Sequence, residues 1–269
     1  MNKKDLSEQE IRTRYITPAI QNAGWKPRQI REEVYLTAGR IIVRGTMSMR
    51  SKKRKFADYV LYLKSGLPLS IVEAKDNNHG ISDGMNQALA YADLLDVPFV
   101  YTSNGDGFME HDRTVTSGVV ERELRLGEFP SPEQLWERFR GREQISEDVA
   151  EVIGQDYFYD RSGKAPRYYQ QVAINRTVRA IAEGEKRILL VMATGTGKTY
   201  TAFQVIWRLW RARKAKRILF LADRNILVDQ TMTNDFRHFG DKMTKIVHRE
   251  IDKSYEVYLA LIQGEIDLV

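Results

Sequence analysis

The stretch Arg187 to Thr199, Arg-Ile-Leu-Leu-Val-Met-Ala-Thr-Gly-Thr-Gly-Lys-Thr, constrains this chain more than any other. Its short apolar run, Ile188 to Met192, reads as a buried strand. A loop with Gly195 and Gly197 follows, then Lys198, Thr199 and a helical pattern. Strand, glycine-bearing loop and helix start are the surroundings in which a phosphate-binding loop is credible. Glycine has no Cβ, so the backbone through Thr194, Gly195, Thr196 and Gly197 can curl and aim its N–H groups inward at an anion. The helix that begins there adds its positive end. In this arrangement Lys198 reaches the outer phosphates and Thr199 holds Mg²⁺ through its hydroxyl, so ATP with Mg²⁺ is the expected cofactor. A glycine-rich turn with a chance lysine is the plain alternative; the flanking strand and amphipathic helix speak against it.

A chain of 269 residues has room for about two domains. It lacks cysteine, which excludes a disulfide framework and any Cys-based zinc site. The net charge of +6 permits a polyanionic partner without requiring one. No apolar run is long enough to span a membrane, and the first residues are too polar for a signal peptide. A soluble cytoplasmic protein with no membrane partner is the expectation. The four histidines show no metal-ligand spacing.

Ser7-Glu8-Gln9-Glu10 has the form of a helix start, with Ser7 as cap and Glu10 closing a capping box. Ile11, Tyr15, Ala19, Ile20 and Ala23 recur at helical spacing up to Gly24, with Pro18 as a kink. First-turn carboxylates suit the helix dipole. Glu10 is also kept as a candidate catalytic carboxylate, with Glu8 as its competitor. Val34 to Val43 contains strand-like material. Arg50 to Lys55 is a dense basic run, either a solvated loop or a phosphate-contacting patch.

Lys55 to Leu63 reads as a strand, Ser65-Gly66 as a turn and Leu69 to Lys75 as a second strand. Period two puts Glu73 and Lys75 on one face with Ala74 on the other, and a tight hairpin can bring Asp58 beside them. Two carboxylates suit Mg²⁺, which prefers oxygen ligands and keeps waters for a phosphate substrate. Asp58 and Glu73 are therefore candidate metal ligands. Lys75 can orient an attacking water and stabilise the charge that develops. A surface salt bridge between Glu73 and Lys75 is the bland alternative. Ser82 to Leu95 reads as a helix with Met85, Leu89, Ala92 and Leu95 toward a core; Gln87 and Tyr91, four apart, share another face. Pro98 to Ser103 reads as a strand, Asn104-Gly105 as a turn and Phe108 to His111 as its return. Phe129 to Trp136 marks a boundary helix capped by Ser131, with Pro132 in its first turn and Gln134 completing the capping box. Arg138 to Gly163 is polar and reads as a connection.

Asp58 with Glu73-Ala-Lys75 resembles the Asp…Glu-x-Lys core of restriction-endonuclease-like nucleases, with Ala57 where that family often has proline. Gln87-x-x-x-Tyr91 resembles an element of nucleases attached to motor proteins, where it positions DNA or the lysine. Ala-Thr-Gly-Thr-Gly-Lys-Thr, with Met192 where the general phosphate-loop pattern has glycine, is similar to the form found in helicases and translocases. Upstream, Arg167 and Gln170 resemble the helicase Q-motif, in which glutamine reads the adenine edge; Gln171 is its neighbouring competitor. Downstream, the apolar stripe of Ala202, Phe203, Val205, Ile206, Leu209 and Trp210 precedes a basic stretch, Arg208 to Arg217, and a second expected buried strand, Ile218 to Ala222. These elements form the expected parallel crossover. Asp223 to Gln230 resembles motif Ia of superfamily 2 helicases, with Arg224 and Gln230 as candidate DNA contacts.

In this order the elements resemble the restriction subunit of type I restriction–modification enzymes. The resemblance implies an α/β chain: a restriction-endonuclease-like nuclease domain over 1–140, a connection over 141–165, and an incomplete RecA-like motor domain with a parallel sheet over 166–269. It further implies a type I site-specific deoxyribonuclease, cutting double-stranded DNA with Mg²⁺ under ATP-driven translocation, docked to methylation and specificity subunits. No Asp-Glu-x-His follows motif Ia, and His248 to Asp252 does not supply one, so the motor domain is expected to be unfinished at Val269. A DNA-repair helicase with an accessory nuclease domain and a non-catalytic DNA-binding assembly module are the alternatives.

Overall fold

The structure, a computed structural model, describes residues 2–36, 41–44, 47–50, 55–160, 165–247 and 251–262. Most of the basic run Arg50 to Lys55, all but its two ends, lies outside the described residues, as do His248, Arg249 and Glu250. The chain divides into two compact units, Met1–Ala150 with Arg167–Val172, and Glu151–Pro166 with Ala173–Val269.

In the first unit, α1 (Glu8–Ile11) starts at Ser7, whose hydroxyl accepts the Glu10 N–H while the Glu10 carboxylate accepts the Ser7 N–H. A π turn over Arg12–Ile16 leads into α2 (Thr17–Asn22). The expected kink at Pro18 is thus absorbed by a widened turn. Proline lacks the N–H that would close the turn, and its ring crowds the carbonyl four residues back; a π turn relieves both conflicts. β1 (Ile30–Leu36) follows, then a separate hairpin of β2 (Ile41–Arg44) and β3 (Met47–Arg50).

β4 (Lys55–Lys64) turns through Gly66, at φ +85°, into β5 (Leu67–Ala74). α3 (Met85–Leu95) crosses over to β6 (Phe99–Ser103), which runs parallel to β5. Gly105, also at φ +85°, turns β6 into β7 (Gly107–Asp112), and β8 (Glu121–Arg125) completes a six-stranded mixed sheet in the order β1-β4-β5-β6-β7-β8. One face packs Ile11, Ile16, Ile20 and Trp25 against Tyr59, Leu61, Val72 and Ala74; the other packs Met85, Ala88, Ala92 and Leu95 against Val60, Ile71 and Val100. α4 (Pro132–Arg142) starts at the Ser131–Gln134 capping box expected from the sequence. The expected connecting segment is partly helical, with α5 at Glu147–Ile153.

α6 (Tyr168–Ala182) is shared by the two units. In the second unit, α7 (Lys198–Arg211) begins at the glycine loop, and β9 (Ile218–Ala222), α8 (Asn225–Thr233), β10 (Met243–Lys245) and β11 (Val257–Leu261) follow. β9 and β11 are parallel, as are β10 and β11, in the order β10-β11-β9. Trp207 packs tilted and Trp210 edge-on against Phe239, which fits a packing role.

Two expectations fail here. Ile188 to Met192 forms no ladder with any described strand, and Leu189 and Val191 are 85% and 88% exposed. The crossover from that run to β9 is therefore not seen, and β9 itself exposes Leu219 and Leu221. An apolar run can mark a buried strand only where neighbouring strands satisfy its backbone groups. Among the described residues none does so for 188–192.

Candidate active site

The hairpin places the acidic cluster. Tyr59 of β4 pairs with Val72 of β5, so Asp58, one residue earlier, and Glu73, one residue later, fall at the same end of the ladder. Asp58 is held there by the Ala74 N–H, which donates to Oδ2 at 2.8 Å. Lys75, just beyond β5, donates through Nζ to Glu73 Oε1 at 3.2 Å and to its neighbour's carbonyl, Ala74 O, at 2.9 Å. α3 adds the third side: Gln87 Nε2 donates to Glu73 Oε1 at 2.5 Å and to the Tyr91 hydroxyl at 3.0 Å. Asp58, Glu73, Lys75, Gln87 and Tyr91, five residues singled out from spacing, thus form one cluster.

Glu10 does not join them. Its carboxylate is committed to Ser7 and to Arg14 at 3.0 Å, as capping chemistry requires. Glu8, two residues earlier, points to the cluster instead, 4.0 Å from Lys75 Nζ. Two further residues escaped the sequence reading. Arg12 NH1 lies 3.8 Å from Asp58 Oδ1. Gly84, at φ +93°, begins α3 and leaves room where a Cβ would come within 3.2 Å of both Glu73 Cγ and Lys75 Cε. The signal for Glu8 and Arg12 was present: they are four apart on one helical face.

The electrostatics follow from burial. Glu73 is 2% exposed, and burial together with the nearby Asp58 raises its carboxyl to about 7. Glu8 is raised in the same way, burial outweighing the attraction of Lys75. Burial works against the Lys75 ammonium, but Glu73, Glu8 and Asp58 overcome it and hold the amine above its usual value. Burial and Glu73 raise the Tyr91 phenol. Glu73 Oε2 is buried without a hydrogen-bond partner. A buried carboxylate oxygen left bare is costly unless a cation takes it up. Among the described residues no group of three His, Cys, Asp or Glu side chains forms a preassembled metal cage. Two carboxylates suffice for Mg²⁺, which keeps several waters and is completed by substrate oxygens. The donor set therefore fits that ion.

The glycine loop sits in the second unit. Gly195 and Gly197 take φ +78° and +85°, conformations that side chains resist. Thr196 Oγ1 donates to Ala193 O at 2.6 Å, and Lys198 Nζ lies 3.4 Å from both Met192 O and Ala193 O, folded over the loop. Thr194 and Thr199 are exposed, the latter on the first turn of α7. Gln170 is the Q-motif candidate. It belongs to the first unit, is buried, and its side-chain oxygen accepts the Arg167 N–H at 2.8 Å, closing the start of α6. Arg224 precedes α8 and Gln230 lies on it, both exposed.

Comparison with known proteins finds a family model for each part of the chain. Residues 7–121 match the family model "Type I restriction enzyme R protein N terminus (HSDR_N)", and residues 163–264 match "Type III restriction enzyme, res subunit". The type I restriction enzyme EcoAI endonuclease subunit of Escherichia coli is 54% identical over 266 residues, covering 98% of this chain and 33% of the relative. The EcoKI endonuclease subunit of E. coli K12 is 31% identical over 243 residues, covering 71% of this chain and 20% of the relative. A solved fragment described as an HsdR subunit of a type I restriction enzyme from Vibrio vulnificus YJ016 superposes with a TM-score of 0.78 at 37% identity, covering 96% of this chain and 47% of that one. The chain spans about a third of the length of the EcoAI relative. The nuclease-like cluster, the glycine loop and an identity that runs through both lead to one assignment: the chain belongs to the endonuclease-subunit family of type I restriction enzymes.

Proposed function

We propose that this chain carries the nuclease and part of the ATP-driven motor of a type I restriction enzyme, and that Asp58, Glu73 and Lys75 cut double-stranded DNA with Mg²⁺. The bare, buried oxygen of Glu73 beside Asp58 and Lys75 carries this reading. Asp58 and Glu73 would hold the ion, with Glu8 near enough to support it. Bound there, Mg²⁺ makes a coordinated water a better nucleophile and neutralises charge on the scissile phosphate. The Lys75 ammonium, kept charged by its carboxylate neighbours, orients the attacking water and stabilises the added negative charge. Gln87 holds Glu73 in place, and Tyr91 steadies Gln87.

In this reading the first unit is a restriction-endonuclease-like domain and the second a RecA-like motor domain. The N–H groups from Thr194 to Gly197, with Lys198 and Thr199, form the ATP·Mg²⁺ cradle. The positive φ at both glycines supports this, since successive N–H groups in such turns converge on an anion. Arg224 and Gln230, exposed at the start and along α8, are available to the DNA backbone. DNA and the methylation and specificity subunits are the partners, in the cytoplasm. Among the described residues no helix is long and apolar enough to cross a membrane.

The test uses the full-length subunit in its assembled enzyme, with unmethylated circular DNA, Mg²⁺ and ATP. Asp58→Ala and Lys75→Ala should abolish cleavage and leave ATP hydrolysis in place. Lys198→Ala should abolish both. Cleavage that survives Asp58→Ala or Lys75→Ala would remove the nuclease assignment.

A further inference from the structure

Arg12 is a large cation buried almost completely, at 5% exposure, where α1 opens into the π turn. Such widened turns occur often beside functional sites. Its guanidinium faces three carboxylates: Glu32 Oε2 at 3.0 Å, Glu33 Oε1 at 3.4 Å and Asp58 Oδ1 at 3.8 Å. Nε donates to the Tyr59 hydroxyl at 3.4 Å, and the guanidinium carbon lies 5.0 Å from the centre of that ring. Glu32 and Glu33 are solvent-facing, so pairing with them alone gives no reason to bury an arginine; exposed pairs contribute little. The least exposed of the three carboxylates is Asp58, whose side chain is 15% exposed against 46% for Glu32 and 68% for Glu33.

The strand beside it is strained at the matching place. Glu33 has φ +50°, a left-handed conformation that a residue with a Cβ resists. Its neighbours Glu32 and Val34 pair with Tyr59 and Ala57, which puts the strained residue level with Asp58. Strain of this kind persists where surrounding contacts over-determine it, and such places cluster at functional sites.

We propose that Arg12 is the positioning residue of Asp58. The Ala74 N–H holds Oδ2 and the Arg12 guanidinium faces Oδ1, so the carboxylate is oriented from two sides before a cation arrives. The inference rests on the nuclease reading above. Without Arg12, Asp58 stands with Glu73 and Glu8 and has only Lys75 to offset their mutual repulsion. It then turns away and must be brought back when Mg²⁺ binds.

This predicts a sign that competing explanations do not share. Loss of a cation beside the proposed metal ligand Asp58 would, by charge alone, tighten Mg²⁺ binding. A purely structural arginine would leave the affinity of the folded protein unchanged. A positioning arginine predicts weaker binding, and outer-shell partners of metal ligands are worth about 10–100-fold in affinity.

The experiment is calorimetric titration of the full-length subunit with Mg²⁺ in the absence of nucleotide, with Asp58→Ala as the baseline for loss of the site. Arg12→Met is expected to weaken binding at least about tenfold. Arg12→Lys, which keeps charge and most of the volume, should shift it less in the same direction; it serves also if Arg12→Met fails to fold. Glu32→Gln, which touches Arg12 but not the cluster, should leave Mg²⁺ binding as it was. Cleavage by the assembled enzyme should need correspondingly more Mg²⁺ in the Arg12 variants, at an unchanged rate of ATP hydrolysis. Unchanged or tighter Mg²⁺ binding in both Arg12 variants overturns the proposal. If Asp58→Ala itself leaves Mg²⁺ binding and cleavage intact, the fault lies with the nuclease reading instead.

Discussion

Gly84 offers the sharpest test of whether Glu73 and Lys75 are the working groups, because it never touches substrate in the proposed mechanism. Gly84→Ala places a methyl at φ +93°, where a side chain costs about 1–2 kcal/mol. The same methyl arrives 3.2 Å from Glu73 Cγ and 3.2 Å from Lys75 Cε. That is a few tenths of an ångström closer than ordinary carbon contact, about 3.5–4.0 Å, so both side chains must give way. Misplacing reacting groups by about 1 Å can cost about 10²-fold in rate. A smaller displacement shared by two groups should cost about tenfold. The expected result is a stability loss of about 1–2 kcal/mol by urea denaturation and cleavage reduced about tenfold. ATP hydrolysis per folded molecule should be unchanged, since the glycine loop belongs to the other compact unit. Wild-type cleavage by a measurably destabilised Gly84→Ala protein would refute the placement of the reaction at Glu73 and Lys75. A parallel fall in ATP hydrolysis would show a global effect rather than a local one.

Glu73 also predicts a pH dependence. Its carboxyl is raised from 4.5 to about 7, so without metal the folded chain holds a proton that the unfolded chain releases between those values. Stability in the presence of a chelator should therefore decline as pH rises through that window and level off above it. Glu73→Gln should remove that part of the slope. Mg²⁺ must displace the same proton, so its affinity should fall below about pH 7, approaching tenfold per pH unit; an affinity flat down to about pH 5 would contradict the assignment. In the same unit, Arg138 chelates buried Glu110 at 2.9 Å through both nitrogens and reaches Asp112 at 2.8 Å, while Tyr101 also donates to Glu110. Arg138→Met should cost about 3 kcal/mol, the low end for breaking a buried pair because Arg122 remains at 2.7 Å. A loss below about 1 kcal/mol, the range of exposed pairs, would show that Arg122 alone satisfies Glu110.

What the sequence determined by itself was local. Ser7 with Glu10 and Ser131 with Gln134 cap helices through contacts three residues apart, so spacing sufficed to read them. Gly66 and Gly105 turn hairpins because they adopt a φ that other residues resist. Once that hairpin is granted, strand periodicity brings Asp58 to Glu73 and Lys75, and helical periodicity joins Gln87 to Tyr91. The remainder was decided between distant segments. Which of Glu8 and Glu10 faces Lys75 depends on how the first helix rolls onto the sheet, and Glu10 is spent on its own cap. Arg12 acquires its role only when β1 and β4 close around it. Glu73 is raised because the assembled core excludes water from it, which no residue pattern states. Gln170 had the right place in the order, yet its side chain closes the start of its own helix. Ile188 to Met192 had strand composition but finds no neighbouring strand among the described residues. Caps and turns are satisfied within a few residues, whereas burial, charge and strand pairing depend on what the rest of the fold brings alongside.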